Sequence, residues 1–464
     1  MRIAIIEHRY REYLMDALVA HPEFAGEIVC FVEENPQRSI VQQIPVISFS
    51  ELKQQDFDTV LIAESRNQHL SQYLTWLHDE NIKNIYIIRL FALDTHADFI
   101  SGSGFNMTCV DHIPNDETKA YLVHLETHVC DQCNLNCKAC NNFSPFVNEP
   151  VCTDIGQFKI DISKLAVSFR IGRFFLLGGE PLLEPERCCE MVEVFREYFP
   201  TTELRLLTNA TLIPRMKETF WECLRKNRVL VHISVYPPVV EKLEEIETVL
   251  QNNGIQYILA KRIEKFAKHW TLYPFEDEEF NNQKCGSAGC HYLRDGFLAK
   301  CPDEVLAGYM AAALDCTPEA IRKEEKIRIS SIDDAWSVIR QLNAPCEMCK
   351  RCTFQRIEYR LWEPAKKPAN PADWLLENRL EHEIRQLKKT IKEQEARETK
   401  LQEEIKDCRF KFKQASESLK ATENCLSILN GDYDAMKHSL SFRLGRFLTW
   451  PLRKTRDAIL NLNG

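Results

Sequence analysis

Three cysteines stand close together in the segment CNLNCKAC, at Cys133, Cys137 and Cys140. The segment directly follows YLVHLETH, a stretch that predicts a β-strand. Three neighbouring thiolates can bind three irons of a cubane cluster, whereas a closed electron-transfer cluster normally has four cysteine ligands. The spacing therefore predicts a 4Fe-4S cluster with one iron open to another ligand. The alternative is a structural zinc site with Cys130 as a fourth ligand, although tetrahedral zinc favours four closed ligands in paired spacing.

Glycine and polar residues follow the next three predicted strands, RFFLL, ELRLL and VLVHI. Ligands on parallel sheets gather at the carboxyl ends of the strands, so we expect these residues to lie near the cysteines. The set comprises Gly178, Gly179, Glu180, Thr208, Asn209 and Ser234. For the last three, the alternative is an ordinary turn role, since polar residues commonly end strands.

The Cys-x3-Cys-x2-Cys motif after a strand resembles the signature of the radical SAM superfamily, and LGGEP resembles its GGE segment. The resemblance implies that the open iron binds S-adenosylmethionine (SAM), and that an electron from a donor such as flavodoxin or ferredoxin cleaves it. The products are methionine and a 5′-deoxyadenosyl radical, which takes a hydrogen atom from substrate. Many members have an aromatic residue before the third cysteine, where this chain has Ala139.

The same resemblance assigns roles to the residues after the strands. Gly178, Gly179 and Glu180 correspond to the segment that contacts the SAM amino group, where glycine lets backbone carbonyls approach. Thr208, Asn209 and Ser234 are implied to line the SAM ribose and carboxylate.

A second group of cysteines follows further along the chain. It comprises Cys285, Cys290, Cys301, Cys346, Cys349 and Cys352. Cys-x10-Gly-x4-Cys, from Cys285 to Cys301, resembles the start of SPASM and twitch extensions, which hold auxiliary iron-sulfur clusters. One auxiliary 4Fe-4S cluster is expected, on Cys301 and the three cysteines of CEMCKRC, with Cys285 and Cys290 competing for the remaining role. A zinc knuckle is the alternative, because Cys-x2-Cys steps also suit zinc.

Four of the other cysteines are Cys152, Cys188, Cys189 and Cys223. Free cysteines are most often plain buried residues. One of them could instead donate a hydrogen atom to a substrate radical, as in a radical epimerisation.

The predicted fold class is α/β. Alternating strands and helices over residues 1–110 and again over 119–280 favour parallel sheets. The first range resembles the small Rossmann-like domain attached to many bacterial sugar- and polysaccharide-modifying proteins, but it lacks the glycine-rich dinucleotide turn. The second, by the family resemblance, is a partial (β/α)6 radical SAM barrel, and residues 281–360 form a cysteine-rich auxiliary-cluster extension.

The C-terminal part of the chain has a different pattern. LWEPAKKPANPADW contains three prolines and predicts a linker. A heptad pattern that runs unbroken from Leu380 to Met436 then predicts a coiled coil over 375–436 and hence a homodimer. Residues 439–464 predict a basic amphipathic tail that contacts a membrane surface or, alternatively, packs back on the protein.

Composition limits the function classes. The net charge of −9 argues against general nucleic-acid binding. The N-terminus lacks a signal-peptide pattern and no stretch suits a membrane span, so we expect a cytoplasmic protein, with contact at the inner membrane face through its tail. In that compartment the 19 cysteines are expected to be reduced thiols that serve metals.

The motifs favour an enzyme that abstracts hydrogen from a sugar, nucleotide sugar or glycan, as an epimerase, dehydrogenase or related oxidoreductase. The segments LETHVCDQCNLNCKACNNFSPF and HISVYPP resemble radical SAM proteins of bacterial surface-polysaccharide biosynthesis. A peptide- or protein-modifying maturase and a non-catalytic metal-binding scaffold are the alternatives.

Overall fold

The computed structural model of the chain divides it into two compact units, Met1–Asn378 and Arg379–Gly464. The described residues of the first unit are 1–6, 26–41, 43–64, 66–90, 97–101, 108–113, 119–272, 277–314, 326–355 and 357–376, and in the second unit only scattered residues between 394 and 444 are described. The predicted coiled coil and tail therefore lie almost wholly outside the described residues. Within the described part of the chain, no helix is long and apolar enough to cross a membrane.

Eight strands lie in the first part of the chain: β1 Arg2–Ile6, β2 Glu27–Glu33, β3 Ile40–Val41, β4 Ile44–Ser48, β5 Thr59–Ile62, β6 Ile85–Leu90, β7 Ala97–Ser101 and β8 Thr108–Ile113. Seven of them form a sheet in the order β3-β4-β2-β1-β5-β6-β8. The run from β4 to β6 is parallel, and β8 closes the edge antiparallel to β6. Strands β1 and β5 are central and apolar, as expected of parallel strands that are covered on both faces.

Two helices accompany this sheet, α1 Phe49–Leu52 and α2 Asn67–Asp79. Helix α2 buries Leu70, Leu74 and Leu77, which fall on one side at helical spacing. These leucines pack into the core that β1, β2, β5 and β6 form. The turn after β1, where the sequence lacks a glycine-rich clamp, lies outside the described residues.

The second part contains ten strands: β9 Ala120–His128, β10 Phe169–Leu177, β11 Glu203–Thr208, β12 Leu230–Ile233, β13 Tyr257–Ala260, β14 Lys265–Lys268, β15 His291–Arg294, β16 Phe297–Ala299, β17 Ile327–Arg328 and β18 Glu358–Leu361. A nine-stranded sheet has the order β17-β16-β15-β9-β10-β11-β12-β13-β7. Strands β9 to β13 pair in parallel, and β14 and β18 form a separate antiparallel pair. The predicted α/β class with parallel sheets is confirmed.

The helices of this part are α3 Ile155–Ser168, α4 Pro185–Tyr198, α5 Glu218–Lys226, α6 Pro237–Val240, α7 Leu243–Asn252, α8 Glu278–Lys284, α9 Asp303–Ala313 and α10 Ala335–Asn343. Helix α3 begins at the cap of Asp154, whose carboxylate accepts a hydrogen bond from the amide of Gln157. It buries Phe158, Ile162 and Leu165 against the sheet. Helices α3 to α7 cover one face of β9–β13 in the largest core of the chain.

One feature of the sheet differs from six consecutive βα units. Five parallel strands, β9 to β13, follow one another along the sheet, and the sixth parallel strand is β15 from the cysteine-rich segment. β15 pairs with β9 at the opposite side of the sheet, with His291 beside Leu125 and Tyr292 beside Glu126. The cysteine-rich segment is therefore built directly onto the strand that leads into the cysteine loop.

Candidate metal centre

The cysteine loop begins where β9 ends and crosses the end of β10. The amide of Gly179 donates to the carbonyl of Cys130, and the amide of Glu180 donates to that of Gln132, both at 2.9 Å. A Cβ on Gly178 would lie 2.3 Å from the oxygen of Cys130, and one on Gly179 would lie 2.2 Å from the oxygen of Gln132. Only glycine allows this approach, so the two glycines form the cradle on which the loop lies.

The loop contains three non-glycine residues in the left-handed region, Asn136, Ala139 and Phe143, with φ of 48°, 54° and 52°. This conformation is unfavourable for residues with a side chain, so the surrounding structure must hold the loop in place. Ala139 is buried in this conformation, at the position where the sequence departs from the family pattern.

The three thiols of the loop lie close enough to influence one another. Burial raises the pKa of Cys133, Cys137 and Cys140 to about 12 each, and in each case the charge of another member of the trio raises it further. Burial also raises the pKa of Tyr236, as do the charges of all three cysteines. Three buried thiolates are unfavourable without a compensating cation, and metal binding supplies one. The donor set therefore fits an iron-sulfur cluster.

The side chain of Glu180 is fully buried behind the loop. Its carboxylate accepts hydrogen bonds from the hydroxyl of Thr208 at 2.6 Å and from the amides of Leu182 and Asn209 at 3.0 and 2.8 Å. Burial raises its pKa to about 7, although these bonds oppose the shift. The structure thus joins the side chains of Glu180 and Thr208 to each other, where they tie the end of β10 to the end of β11.

Asn209 and Ser234 lie at the same edge of the sheet. The side-chain amide of Asn209 donates to Asn134 Oδ1 at 2.8 Å and lies 3.8 Å from the sulfur of Cys133. Ser234, half-buried at the end of β12, donates its amide to the carbonyl of Thr208 at 2.9 Å. Asn209 is therefore the predicted contact residue that the structure places directly at a cysteine of the trio.

Comparisons with known proteins agree with this geometry. A family described as a 4Fe-4S single cluster domain matches residues 124–257. The GTP 3′,8-cyclase of Sulfurovum sp. (strain NBC37-1) is 25% identical over 123 residues, which cover 26% of this chain and 37% of the cyclase. These matches support the resemblance of this region to the radical SAM superfamily, and with it the predicted cofactors, a 4Fe-4S cluster and SAM. The chain spans little more than a third of the length of this curated relative.

Two solved structures are similar to parts of this chain. Native anSMEcpe with bound AdoMet and Cp18Cys peptide is 20% identical and covers 30% of this chain and 42% of that chain, with a TM-score of 0.25. BtrN in complex with AdoMet and 2-DOIA is 15% identical and covers 50% of this chain and 94% of that chain, with a TM-score of 0.31.

Five of the six cysteines in the second group lie together. The sulfurs of Cys346 and Cys349 are 3.8 Å apart, and the thiol of Cys346 stabilises the thiolate of Cys349 and lowers its pKa to about 7. Burial raises the pKa of Cys285 to about 12 and those of Cys301 and Cys352 well above their usual value, and their charges act on one another. Two residues that the sequence did not single out, His269 and Asp303, have ligand atoms within 4.8 Å of that of Cys352.

Cys290 has a different environment. Its sulfur lies within 4.8 Å of the ligand atoms of His124 and Glu126, on β9. Nε2 of His124 is 3.1 Å from a carboxylate oxygen of Glu126, and burial raises the pKa of that carboxyl to about 8. The amide of Asn67, at the start of α2, lies 4.0 Å from the same sulfur.

The four cysteines Cys152, Cys188, Cys189 and Cys223 lie among the elements around the second sheet. Cys188 is fully buried on α4, in the core beneath the helices. Cys189 and Cys223 share a hydrogen bond between α4 and α5. Cys152 forms an isolated backbone bridge with Cys130, beside the cysteine loop.

A buried polar network around Asp131 links the cysteine loop to the extension. His128 Nδ1 lies 2.6 Å from one carboxylate oxygen of Asp131, and Arg294 donates to both oxygens at 3.1 and 2.8 Å. The hydroxyl of Tyr309, on α9, also donates to this carboxylate. Burial alone would raise the pKa of Asp131, but the bond from His128 and the charge of Arg294 hold it well below its usual value. No local pattern predicts this network, since its members lie on β9, the cysteine loop, β15 and α9.

Proposed function

We propose that Cys133, Cys137 and Cys140 hold the 4Fe-4S cluster and that the protein reductively cleaves SAM to abstract hydrogen from a sugar, nucleotide sugar or glycan. The observation that supports the cleavage most directly is a trio of buried or half-buried thiols, whose thiolate charges would repel one another, beside the cradle of Gly178 and Gly179. When bound, the cluster supplies the electron that breaks the SAM sulfonium bond. A donor such as flavodoxin or ferredoxin would provide that electron.

The chain's own residues fix the geometry of this site. Glu180 and Thr208 tie two strand ends together and so hold the cradle in register with the loop. The side chains of Asn134 and Asn209 lie beside Cys133, bonded to each other and to Thr211, and are proposed to contact the polar groups of SAM from there. Tyr236 and Ser234 close the side of the site at the end of β12.

A polar face of the sheet supports a hydroxyl-rich substrate. His124, Glu126, Arg205 and His232 are buried on β9, β11 and β12. Three of them surround the ring of Phe175: His124 with its centroid at 4.4 Å, His232 at 6.4 Å, and the Arg205 guanidinium at 5.1 Å. The neighbouring residues Phe174 and Leu176 point to the helix-packed core instead. An interior with this polarity suits a small polar substrate with several hydrogen-bonding groups better than an apolar one.

One auxiliary 4Fe-4S cluster is proposed for the second cysteine group. Its ligands come from the five associated cysteines, Cys285, Cys301, Cys346, Cys349 and Cys352. Cys290 is assigned to the His124 and Glu126 environment instead of the cluster. Four ligands would close the auxiliary cluster for electron transfer, and the fifth cysteine would lie beside it.

The cleavage is tested by changing Cys133, Cys137 and Cys140 together to alanine. After anaerobic reconstitution with iron and sulfide, the variant is expected to lose about one cluster's worth of iron and all production of 5′-deoxyadenosine from SAM. Cys189→Ser, which changes a cysteine outside both groups, is the matched control and should retain both. Wild-type rates of 5′-deoxyadenosine formation in the triple variant would exclude the proposed site.

The ligand assignment of the second group is tested separately. Cys346→Ala combined with Cys349→Ala should lower the iron content by about one cluster while the signal of the SAM-binding cluster remains. Cys290→Ala should leave the iron content unchanged. Zinc in place of the second cluster's iron would mean a zinc knuckle, and would refute the auxiliary cluster.

The substrate class is tested by deuterium transfer. The reconstituted protein is incubated with SAM, a reductant and a panel of uniformly deuterated nucleotide sugars, and 5′-deoxyadenosine is analysed by mass spectrometry. Deuterium in 5′-deoxyadenosine with a nucleotide sugar supports the proposal. Transfer from peptides alone would instead identify a peptide-modifying enzyme.

A further inference from the structure

The proline-rich segment 361–376 lies across the cysteine loop, and we refer to it as the strap. The sequence predicts a linker here, and that prediction is wrong because the strap forms main-chain hydrogen bonds with the loop. The amide of Lys138 donates to the carbonyl of Glu363 at 2.9 Å, and the amide of Ala365 donates to that of Asn136 at 2.6 Å. Asn136 is one of the loop residues with positive φ, so the strap fixes an unfavourable backbone conformation.

Both ends of the strap are anchored to the chain before α8. Its first part continues β18, which pairs with β14, and the amide of Trp362 donates to the carbonyl of Glu264 at 2.8 Å. At the other end the amide of Leu376 donates to the carbonyl of Trp270 at 2.7 Å. Trp374 is buried there against Phe146. The strap is therefore held at both ends as well as along the loop.

The strap also contacts a sulfur of the trio. The indole N–H of Trp362 donates to the sulfur of Cys137 at 3.0 Å. An indole nitrogen can only donate, so the direction of this bond is fixed. Cys137 is buried, which leaves the indole as a close polar neighbour of its sulfur. Hydrogen bonds to ligand sulfurs are among the factors that set the reduction potential of an iron-sulfur cluster.

We propose that Trp362 is a positioning residue whose indole N–H raises the reduction potential of the cluster on Cys137. This inference rests on the proposed ligation by Cys133, Cys137 and Cys140. Reduction adds negative charge to the cluster and its sulfurs, and a donor that points at a sulfur stabilises the added charge. Loss of the donor therefore makes reduction harder without removing a ligand.

The test is the variant Trp362→Phe, which retains an aromatic ring and removes the N–H. The full-length protein is reconstituted anaerobically, and its midpoint potential is measured by a redox titration followed by electron paramagnetic resonance. At a fixed potential, the ratio of reduced to oxidised SAM-binding cluster should fall about tenfold, which corresponds to about 59 mV for a one-electron couple. An unchanged potential in a fully loaded variant would overturn the role of Trp362.

Trp374→Phe is the matched control. It removes an indole N–H of the same strap, but this one donates to the carbonyl of Cys140 at 2.9 Å and not to a sulfur. The potential of this variant should remain that of the wild type. Equal shifts in both variants would show that strap packing, and not the bond to sulfur, sets the potential, and would refute the inference.

If the Trp362→Phe variant incorporates too little cluster to titrate, the inference can still be tested on the wild-type sequence. Tryptophan labelled with ¹⁵N at the indole nitrogen is incorporated, and pulsed electron paramagnetic resonance of the reduced cluster should show a ¹⁵N coupling. If the protein contains the cluster but shows no ¹⁵N coupling, the role of Trp362 is refuted while the proposed function stands. A wild-type protein that binds no cluster through the trio would instead refute the proposed function.

Discussion

The hydroxyl of Thr208 donates to the carboxylate of Glu180 at 2.6 Å, and both side chains are buried behind the cysteine loop. This bond joins the ends of two neighbouring parallel strands just where Gly178 and Gly179 support the loop. The acidic residue of the GGE segment thus contributes to the site by fixing the cradle.

The cradle predicts that Gly179→Ala damages the cluster site. A Cβ at this position would meet backbone oxygens of Gln132 and Asp131 at 2.2 and 2.4 Å, which a rotamer change cannot relieve. The loop must move, at a cost of about 1–3 kcal/mol in unfolding free energy, and the iron content after reconstitution should fall by at least half. Gly286→Ala is the control, because its Cβ would meet no atom within 4 Å. Normal iron content in Gly179→Ala would contradict the cradle.

Local patterns were enough to predict the strands and the position of the cysteine loop. Alternating and continuous apolar runs identify β9 to β13, and the motif after β9 places the trio at the carboxyl edge. The partner of Glu180 could not be predicted, because the direction of a side chain after a strand depends on the backbone of the turn. The sequence suggests that Glu180 contacts SAM. In the structure its carboxylate instead accepts a hydrogen bond from the hydroxyl of Thr208.

Contacts between segments that are distant along the chain could not be predicted from the sequence either. β15 pairs with β9 and Arg294 reaches Asp131 because the extension folds back across the sheet, and no local pattern encodes that return. The strap is a clearer case, since a segment with three prolines normally marks an exposed connection. Here the backbone of that segment is bonded to the loop through the amide of Ala365 and the carbonyl of Glu363.

The burial of Glu126 predicts a pH dependence of stability. Its pKa is raised from 4.5 to about 8, mainly by burial, so the folded state holds this proton more tightly than the unfolded state. The stability that the protonated Glu126 contributes to the folded state is fully present below about pH 4.5 and is lost as pH rises to about 8. Relative to Glu126→Gln, which cannot ionise, the wild type should lose on the order of a few kcal/mol over this range.

This prediction is checked by anaerobic denaturant unfolding of the two proteins between pH 5 and pH 8. The difference between their unfolding free energies should change with pH, since the rest of the chain is common to both. A constant difference would mean that Glu126 has an ordinary pKa.

The heptad pattern predicts a parallel dimer through the C-terminal unit. Ile384, Ile391 and Ile405 fall at a positions, while Leu380, Leu387 and Leu401 fall at d positions, a combination that favours two strands. Leu401 is 49% exposed in the single chain.

A chain that ends at Asn378 keeps the strap and loses the heptads. It should be a monomer that binds wild-type amounts of iron, as measured by light scattering and metal analysis. A chain that ends at Arg360 also loses the strap and should bind less iron. A dimer of the chain ending at Asn378 would place self-association elsewhere.

The last prediction concerns contact of the tail with a membrane surface. The segment from Phe442 to Arg456 alternates bulky apolar residues, including Trp450, with five cations. Leu440 and Leu444, which are helical and exposed at 76% and 45%, lie four residues apart on one side of the helix. An interfacial helix needs this combination of an apolar side and basic residues.

Each cation near an anionic surface contributes about 1 kcal/mol, so a dimer with two tails should bind more tightly than one tail alone. The full-length protein should float with anionic vesicles and float less at high salt, because salt screens the attraction. A variant with Arg443, Arg446, Arg453, Lys454 and Arg456 changed to glutamine should remain at the bottom of the gradient, while neutral vesicles should not carry the wild type. Sedimentation of the wild type with anionic vesicles at both salt concentrations would show that the tail packs against protein.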